Sequence, residues 1–201
     1  LVCRFCQATN GSGRTLRLAK GKQICDTTAT RAAPLRFLRR GAIGASMITC
    51  DGRRQITELF LPGELILPSR ADQTGSWLEA LSAVDAWEVT FLDGLNGQMH
   101  GDAATIERLL LRAVETKAIR LQRHAMLLGR LDGPERVYAF LVDIAERIGK
   151  NTTAGLSIRL PLRREQIADY LGLNPETVGR LLKRCARDGL IEFEKPTHFN
   201  I

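Results

Sequence analysis

Arg163-Arg-Glu-Gln-Ile-Ala-Asp-Tyr-Leu-Gly-Leu-Asn-Pro-Glu-Thr-Val-Gly-Arg-Leu-Leu-Lys-Arg184 is the stretch on which the reading of this chain turns. Its first part, Arg163 to Tyr170, reads as a short helix that buries Ile167, Ala168 and Leu171. Gly172 stands in the turn, where a positive φ is cheap only for glycine. Asn174 suits an N-cap, and Pro175 the first helical position, where no N–H is needed. A second helix, Pro175 to about Arg187, turns Val178, Leu181, Leu182 and Cys185 inward. It leaves Glu176, Thr177, Gly179, Arg180, Lys183 and Arg184 outward. Two short helices joined this way make a helix-turn-helix, whose second helix enters the major groove with its N-terminal side chains on base edges.

The outward face has the chemistry for that task. Arg180 has the fork to bond guanine O6 and N7 together, and Glu176 can accept from cytosine N4. The two stand four residues apart, on one face, so an ordinary surface ion pair is the competing reading. Gly179 is expected to be a third member of the base-reading face. A glycine inside an exposed helical face costs about 1 kcal/mol relative to alanine, and close approach to DNA would account for it. Lys183 and Arg184 are expected on phosphates.

Outward from this stretch, Gly189 to Ile201 predicts a two-stranded wing with Glu194-Lys195-Pro196-Thr197 at its tip. Upstream come a helix, Glu135–Ile148, a loop and a strand, Ser157–Leu160. Before them, from about Asp102 to Arg130, the chain holds no proline, and its one glycine, Gly129, lies at the end. Leu111, Val114, Ala118, Leu121, Ala125 and Leu128 alternate at spacings of three and four, the seam of one helix packed along another. A dimerisation helix follows, with a core helix of a single domain as the alternative. Beside the seam, Leu110, Ala113, the Lys117 stem and Leu127 form a line suited to the chain's own N-terminal part. Asp132-Gly133-Pro134 ends the helix.

Residues 1–100 are broken every eight to twelve positions by Gly, Pro or Asp-Gly. Short β-friendly runs lie between the breaks: Leu35–Arg39, Met47–Cys50, Gln55–Phe60 and Glu88–Phe91. Asp51-Gly52 predicts a hairpin turn, and the even spacing predicts a barrel or sandwich. The expected fold class is therefore α+β in three parts, with boundaries at 1–100, 101–133 and 134–201.

Composition narrows the function classes. The 201 residues are 44% hydrophobic and 25% charged, ordinary for a globular chain. No apolar run approaches a membrane span, and no secretory signal is visible after Leu1. Five cysteines, an odd number, argue against a disulfide framework and for the reducing cytoplasm. The formal net charge of +7 permits a polyanionic partner. Its distribution is even: 12 basic and 9 acidic residues in 1–100, 6 and 4 in 101–133, 11 and 9 in 134–201. Any nucleic-acid contact must come from a shaped patch rather than a basic tail. No histidine has a Ser or Cys beside it in sequence, and no carboxylate pair stands out, so no enzymatic constellation is expected.

Glu176-Thr-Val-Gly-Arg180, the three-part order, the block Asp51-Gly-Arg-Arg-Gln-Ile-Thr57 and the following Leu61-Pro-Gly-Glu-Leu65 together resemble the Crp/Fnr superfamily of bacterial transcription regulators, nearest the FixK and Fnr branches. The resemblance spans nearly the whole chain and is strongest in its last third. It implies a β-roll like that of cyclic-nucleotide-binding domains, a dimerisation helix and a winged helix-turn-helix. It further implies a homodimer on double-stranded DNA, reading a palindrome of the TTGA-N-TCAA kind, with RNA polymerase as a partner. Arg164 and Thr177 match family positions that hold phosphates. Where the Fnr branch has Ser this chain has Gly179, and where the cyclic-AMP receptor branch has a base-contacting Arg it has Pro175, which leaves the outer bases of the half-site open.

The signal sensed is less legible. The phosphate-binding Arg of a cyclic-nucleotide site has no match, since Arg70 is the only arginine between Leu65 and Ala80 and Thr74-Gly75-Ser76-Trp77 fills the usual neighbourhood; cyclic AMP is not expected. Cys3 and Cys6 form one CxxC, short of the four ligands an iron–sulfur cluster takes. Cys25 reads as strand core, and Trp87 stands where the Fnr branch places a later cluster ligand. A redox- or metal-responsive regulator using Cys3 and Cys6, or Cys185, is the alternative reading. Cys185, on the apolar side of the helix, reads first as core packing, and the alternative is a redox handle whose thiol pKa is lowered by Lys183, Arg184 and Arg187. His100, His124 and His198 show no metal-binding spacing, and haem on one of them has no sequence support. No cofactor is expected, and a ligand-binding β-barrel without DNA binding is the third reading.

Overall fold

A computed structural model describes residues 13–24, 34–68, 75–89, 103–153, 155–195 and 198–200. Eight short strands come first: β1 (Arg14–Leu18), β2 (Gln23–Ile24), β3 (Leu35–Arg40), β4 (Ile43–Ile48), β5 (Arg54–Phe60), β6 (Leu65–Ile66), β7 (Trp77–Ala80) and β8 (Val84–Val89). They form two antiparallel four-stranded sheets, in the orders β1-β8-β3-β6 and β2-β7-β4-β5. Leu38, Ile66, Val84 and Ala86 from the first sheet meet Ile43, Ala45, Phe60, Leu78 and Ala80 from the second in one buried cluster. This is the two-sheet packing of a β-roll, with alternate side chains of each strand filling the interior. The Asp51-Gly52 turn joins β4 to β5, and Gly52 takes φ +84° as the hairpin requires.

Helix α1 (Ala103–Arg130) runs 28 residues, and only Leu131 and Asp132 separate it from α2 (Gly133–Ile148). Asp132-Gly133-Pro134 therefore opens α2 as well as ending α1. The Asp132 side chain accepts from the Glu135 amide, and the Glu135 carboxylate accepts from the Asp132 amide, each at 2.9 Å, a reciprocal cap at a helix start. Strands β9 (Lys150–Thr152) and β10 (Gly155–Arg159), helices α3 (Arg164–Leu171) and α4 (Pro175–Arg187), and strands β11 (Glu192–Lys195) and β12 (His198–Asn200) complete the described chain. The last sheet runs β11-β12-β10-β9. Gly172 sits between α3 and α4 at φ +62°, as its place in the turn predicts.

The sequence-based expectations miss β1, β2, β6, β7 and β9, and they start β4 and β8 too late, at Met47 rather than Ile43 and at Glu88 rather than Val84. Three of the missed strands hold two or three residues, too short for a periodic signal. In β1, Arg-Thr-Leu-Arg-Leu is exposed along most of its length, as suits a strand at the edge of its sheet. One core runs through both halves of the molecule. Ile56, Leu59 and Leu61 of the β-roll, Leu127 of α1, and Phe140, Ile158, Ile167, Leu171, Val178 and Phe199 of the C-terminal part belong to a single buried cluster.

Candidate nucleic-acid interface

Helix α4 begins where Asn174 Oδ1 accepts from the Glu176 amide at 3.0 Å, with Pro175 following as first residue. Val178, Leu182 and Cys185 are buried, and Leu181, expected inside, is half-buried at the edge of the core. Glu176, Arg180, Lys183 and Arg184 are exposed on the other side, and Thr177 is half-buried. The Glu176–Arg180 ion pair does not form. Arg180 Nη2 instead donates to Thr177 Oγ1 at 3.4 Å, and Arg184 lies 3.6 Å from the Asp188 carboxylate. Among the described residues neither Arg180 nor Glu176 has an ion-pair partner.

Gly179 corrects the expectation made of it. It is buried, not outward, because the exposed Arg164 at the start of α3 covers it. A Cβ at this position would lie 3.6 Å from Arg164 Nη1 and 3.8 Å from its Cδ, ordinary van der Waals contact. Arg164 lies over this glycine, which gives its place in the helix a reason inside the protein besides close approach to DNA.

Cys185 is buried in the shared core, in line with core packing rather than the redox alternative. Its thiol is pushed above the ordinary cysteine value, first by burial and then by Asp188, and the nearby Arg184 only partly opposes this. The depression by basic neighbours that the redox alternative needs does not occur because Lys183, Arg184 and Arg187 point away to solvent while the sulfur packs inward. The structure also joins a serine and a histidine that are far apart in sequence. Ser157 Oγ and His198 Nε2 lie 2.9 Å apart, Glu194 lies 3.1 Å from His198 Nδ1, and Asn200 donates to Glu194 at 3.0 Å. The pairing of β10 with β12 brings them together, which no sequence spacing reports. With Glu194 about half exposed, water competes for the carboxylate, and the arrangement serves to tie the wing strands to one another.

Charge that is evenly spread in sequence is gathered by the fold. A cleft of about 1020 Å³ between the β3–β4 turn and the outer side of the last sheet is lined by Arg39, Arg40, Arg147, Lys150, Arg159 and His198. Arg39 is held by Asp85 and Arg147 by Glu64 and Asp143, while Arg40, Lys150 and Arg159 have no ion-pair partner among the described residues.

Along α1 the expected seam faces away from the rest of the chain. Leu111, Val114, Ala118, Leu121 and Ala125 are exposed, Leu111 by 62%, while Leu128 is half-buried against the shared core. The opposite face docks on the β-roll. Leu110 packs with Leu35 and Val89, Lys117 pairs with Glu58 at 2.9 Å, and Leu127 enters the shared core. Arg120 holds Glu64 through two 2.8 Å bonds, and Arg147 of α2 reaches the same carboxylate at 2.9 Å. His124 is buried in this face, with a carbonyl oxygen near each ring nitrogen. Arg120 and Arg147 are not singled out in the sequence, His124 is weighed there only as a metal or haem ligand, and Glu64 appears only inside the Leu61-Pro-Gly-Glu-Leu65 block. Only their place on the docked face of α1 and α2, or in the turn after β5, marks them.

The candidate sensing residues fall mostly beyond the described chain: Cys3, Cys6, Cys25, Arg70, Thr74 and His100 all lie outside it. Among the described residues no group of three or more His, Cys, Asp or Glu side chains is placed to hold a metal ion. Trp87 lies in β8, its ring beneath the Arg39 guanidinium at 5.8 Å. No described helix is long and apolar enough to cross a membrane.

Residues 135–201 match the Crp-like helix-turn-helix domain. The chain is 35% identical over 151 residues to nitrogen fixation regulation protein FixK of Rhizobium meliloti, an alignment covering 75% of this chain and 65% of that one. It is 32% identical over 184 residues to electron transport regulator A of Shewanella oneidensis, covering 87% and 70%. The chain thus spans about two thirds of the length of these relatives. Among solved structures, FixK2 from Bradyrhizobium japonicum superposes with a TM-score of 0.76 at 25% identity, over 94% of this chain and 92% of that one. A cyclic nucleotide-binding domain containing protein from Listeria monocytogenes shares the fold with a TM-score of 0.73 at 12% identity, over 95% and 90%. A helix-turn-helix match over the region built around α3 and α4, joined to relatives that are transcription regulators aligning across the β-roll as well, makes this chain a member of the Crp/Fnr family, near its FixK and Fnr branches.

Proposed function

We propose that the protein is a homodimeric, sequence-specific DNA-binding transcription regulator that reads an inverted repeat of the TTGA-N-TCAA kind through α4. The observation that carries this reading is the division of α4: a buried side holding Val178, Leu182 and Cys185, and an exposed one presenting Glu176, Arg180, Lys183 and Arg184. Arg180 and Glu176 read bases. Arg164, Thr177, Lys183 and Arg184 hold phosphates, with Gly179 serving as the flat seat beneath Arg164 rather than as a base contact. Two copies join along the exposed seam of α1, which sets two α4 helices about 34 Å apart, one turn of DNA. The relatives' names, all regulators, support this class, and the unpaired cations of the cleft suit a polyanion. RNA polymerase is the partner through which such a protein would act, in the cytoplasm.

Selection of bound duplexes from a random pool tests the reading directly. An inverted repeat containing TGA is the expected product, and a pool with no repeat refutes it. A gel shift across salt concentrations separates DNA binding from a ligand-binding or protein-interaction role, because phosphate contacts impose a steep negative salt slope.

A further inference from the structure

The cleft between the β3–β4 turn and the last sheet gathers cations from both halves of the molecule. Arg40 comes from the end of β3, Lys150 from β9 and Arg159 from β10, and all three are exposed. Among the described residues no Asp or Glu lines the cleft, although the chain holds 22 of them. Carboxylates stand behind its wall instead. Asp85 takes Arg39, Glu64 and Asp143 take Arg147, and Glu194 lies 3.1 Å from His198 Nδ1. Arg147 is only 10% exposed and spends its fork on those two carboxylates and the Leu59 carbonyl, which makes it a rigid back wall. The charges of Arg40, Lys150 and Arg159 are left uncompensated around one space, an arrangement that an incoming anion relieves.

The backbone fixes where these three stand. Arg40 precedes Gly41, whose φ is +88° and where a Cβ would collide with the Ala83 carbonyl oxygen. Lys150 follows Gly149, where a Cβ would collide with the Ala145 carbonyl oxygen and lie 2.7 Å from Leu156 Cγ. Neither place has room for a side chain, so each cation leaves its strand end at a set point. In the last sheet Lys150 pairs in register with Ser157, and Arg159 with His198. Directly paired residues share a face, and Ser157 and Arg159 stand two apart on β10, with Ile158 between them fully buried on the other side. One face of the sheet therefore presents Lys150, Arg159, the Ser157 hydroxyl and the His198 ring together.

We propose that this cleft is a binding site for phosphate groups, joining the β-roll to the C-terminal half through Arg40 on one side and Lys150 and Arg159 on the other. Three separate cations exceed what a single carboxylate neutralises. Two of them are guanidinium forks suited to paired phosphate oxygens, and the Ser157–His198 pair adds uncharged hydrogen-bonding groups. The volume of about 1020 Å³ stands at the upper end of small-molecule sites, about 300–1,000 Å³, with room for several linked phosphates. Two sources carry that chemistry: a free polyphosphate or phosphate ester, and the backbone of DNA leading away from α4. The second source rests on α4 being the DNA-reading helix, since Pro161 lines the cleft and Arg164, three residues on, covers Gly179 of that helix.

Sodium tripolyphosphate, titrated into the full chain by calorimetry without DNA, is the probe for the first source. For the second, fluorescence anisotropy compares the selected duplex with the same duplex lengthened at each end by one helical turn, about ten base pairs. In the double variant Arg40→Ser with Arg159→Ser, the affinity for tripolyphosphate or the gain from the longer duplex is expected to fall about ten-fold or more. The short duplex is bound as before. Loss of tripolyphosphate binding assigns the site to a free ligand, and loss of the length gain assigns it to DNA. Arg40→Lys with Arg159→Lys, which keeps the charge, recovers most of whichever is lost. Three outcomes overturn the proposal: both ligands binding the double variant as they bind the natural protein, neither tripolyphosphate binding nor a length gain in the natural protein, or tripolyphosphate lost in Arg180→Ala and kept in the cleft variant. Should the serine variant not fold, amide resonances of the natural protein decide. Shifts on adding tripolyphosphate gathered at residues 40–41, 149–150 and 157–159 support the site, and shifts gathered along α4 refute it. Because the calorimetry needs no DNA, failure of the base-reading role of α4 leaves that arm standing.

Discussion

Arg180 and Gly179 are neighbours in sequence with opposite fates in the structure, and each carries its own expectation. Arg180→Ala should cost about 1–3 kcal/mol on the selected duplex and little on mixed-sequence DNA, measured by fluorescence anisotropy. Equal losses on both would show Arg180 touching phosphate alone. Gly179→Ala should leave specific affinity unchanged and raise thermal stability, by up to about 1 kcal/mol, since its methyl group meets only the flexible Arg164 side chain in ordinary contact. Tyr170 gives a third residue-level expectation. Burial pushes its phenol up to about 12. The folded state therefore favours the protonated phenol, and the stability this contributes is whole below pH 10 and lost as pH rises from 10 through 12. Thermal melts between pH 9 and 11.5 should fall more steeply for the natural protein than for Tyr170→Phe.

At the scale of elements, helices were far easier to read than strands. The seam of α1 and the capped, glycine-linked pair α3 and α4 carry signals within one short window: a 3.5-residue period, Asn174 before Pro175, Gly172 in the turn. Their ends fall within one or two residues of the expected ones. β2 and β6, with two residues each, exist only because a partner strand lies alongside. The same limit hid Ser157 from His198 and put Gly179 on the wrong side, since neither the pairing of β10 with β12 nor the reach of Arg164 across the turn has a sequence period. The seam itself is open to test. If two copies join along this seam as proposed, Leu121→Asp should yield a monomer in sedimentation while circular dichroism stays unchanged, because Leu121 is exposed on its own chain. A monomeric natural protein would remove the basis of the paired half-sites.

On the scale of the whole molecule, Glu64 is the joint between the β-roll and the helices. It takes two bonds from Arg120 of α1 and two from Arg147 of α2, and its Oε2 also accepts from the Leu61 amide at 3.0 Å. Glu64→Ala leaves two largely buried guanidinium groups facing each other, and breaking a buried pair from one side costs about 3–5 kcal/mol. Denaturant melts should register that loss, and Glu64→Gln, which retains the acceptor oxygen, should recover part of it. The family block Leu61-Pro-Gly-Glu-Leu65 pointed at this turn without revealing its purpose, which lies 56 and 83 residues away in sequence.

Only Leu131 and Asp132 lie between α1 and α2, and Arg136 bolts that corner by donating to the carbonyls of Leu128, Leu131 and Leu171. Loops ordinarily absorb an added residue. This corner has no slack to do so. One residue added beyond Leu128 would carry everything downstream about 100° around the helix axis, a single step of the α-helix. The chain therefore works as a gauge as well as a scaffold: the count of residues from the seam to Arg180 is a length standard, and two such standards set back to back would measure out one fixed interval along a duplex.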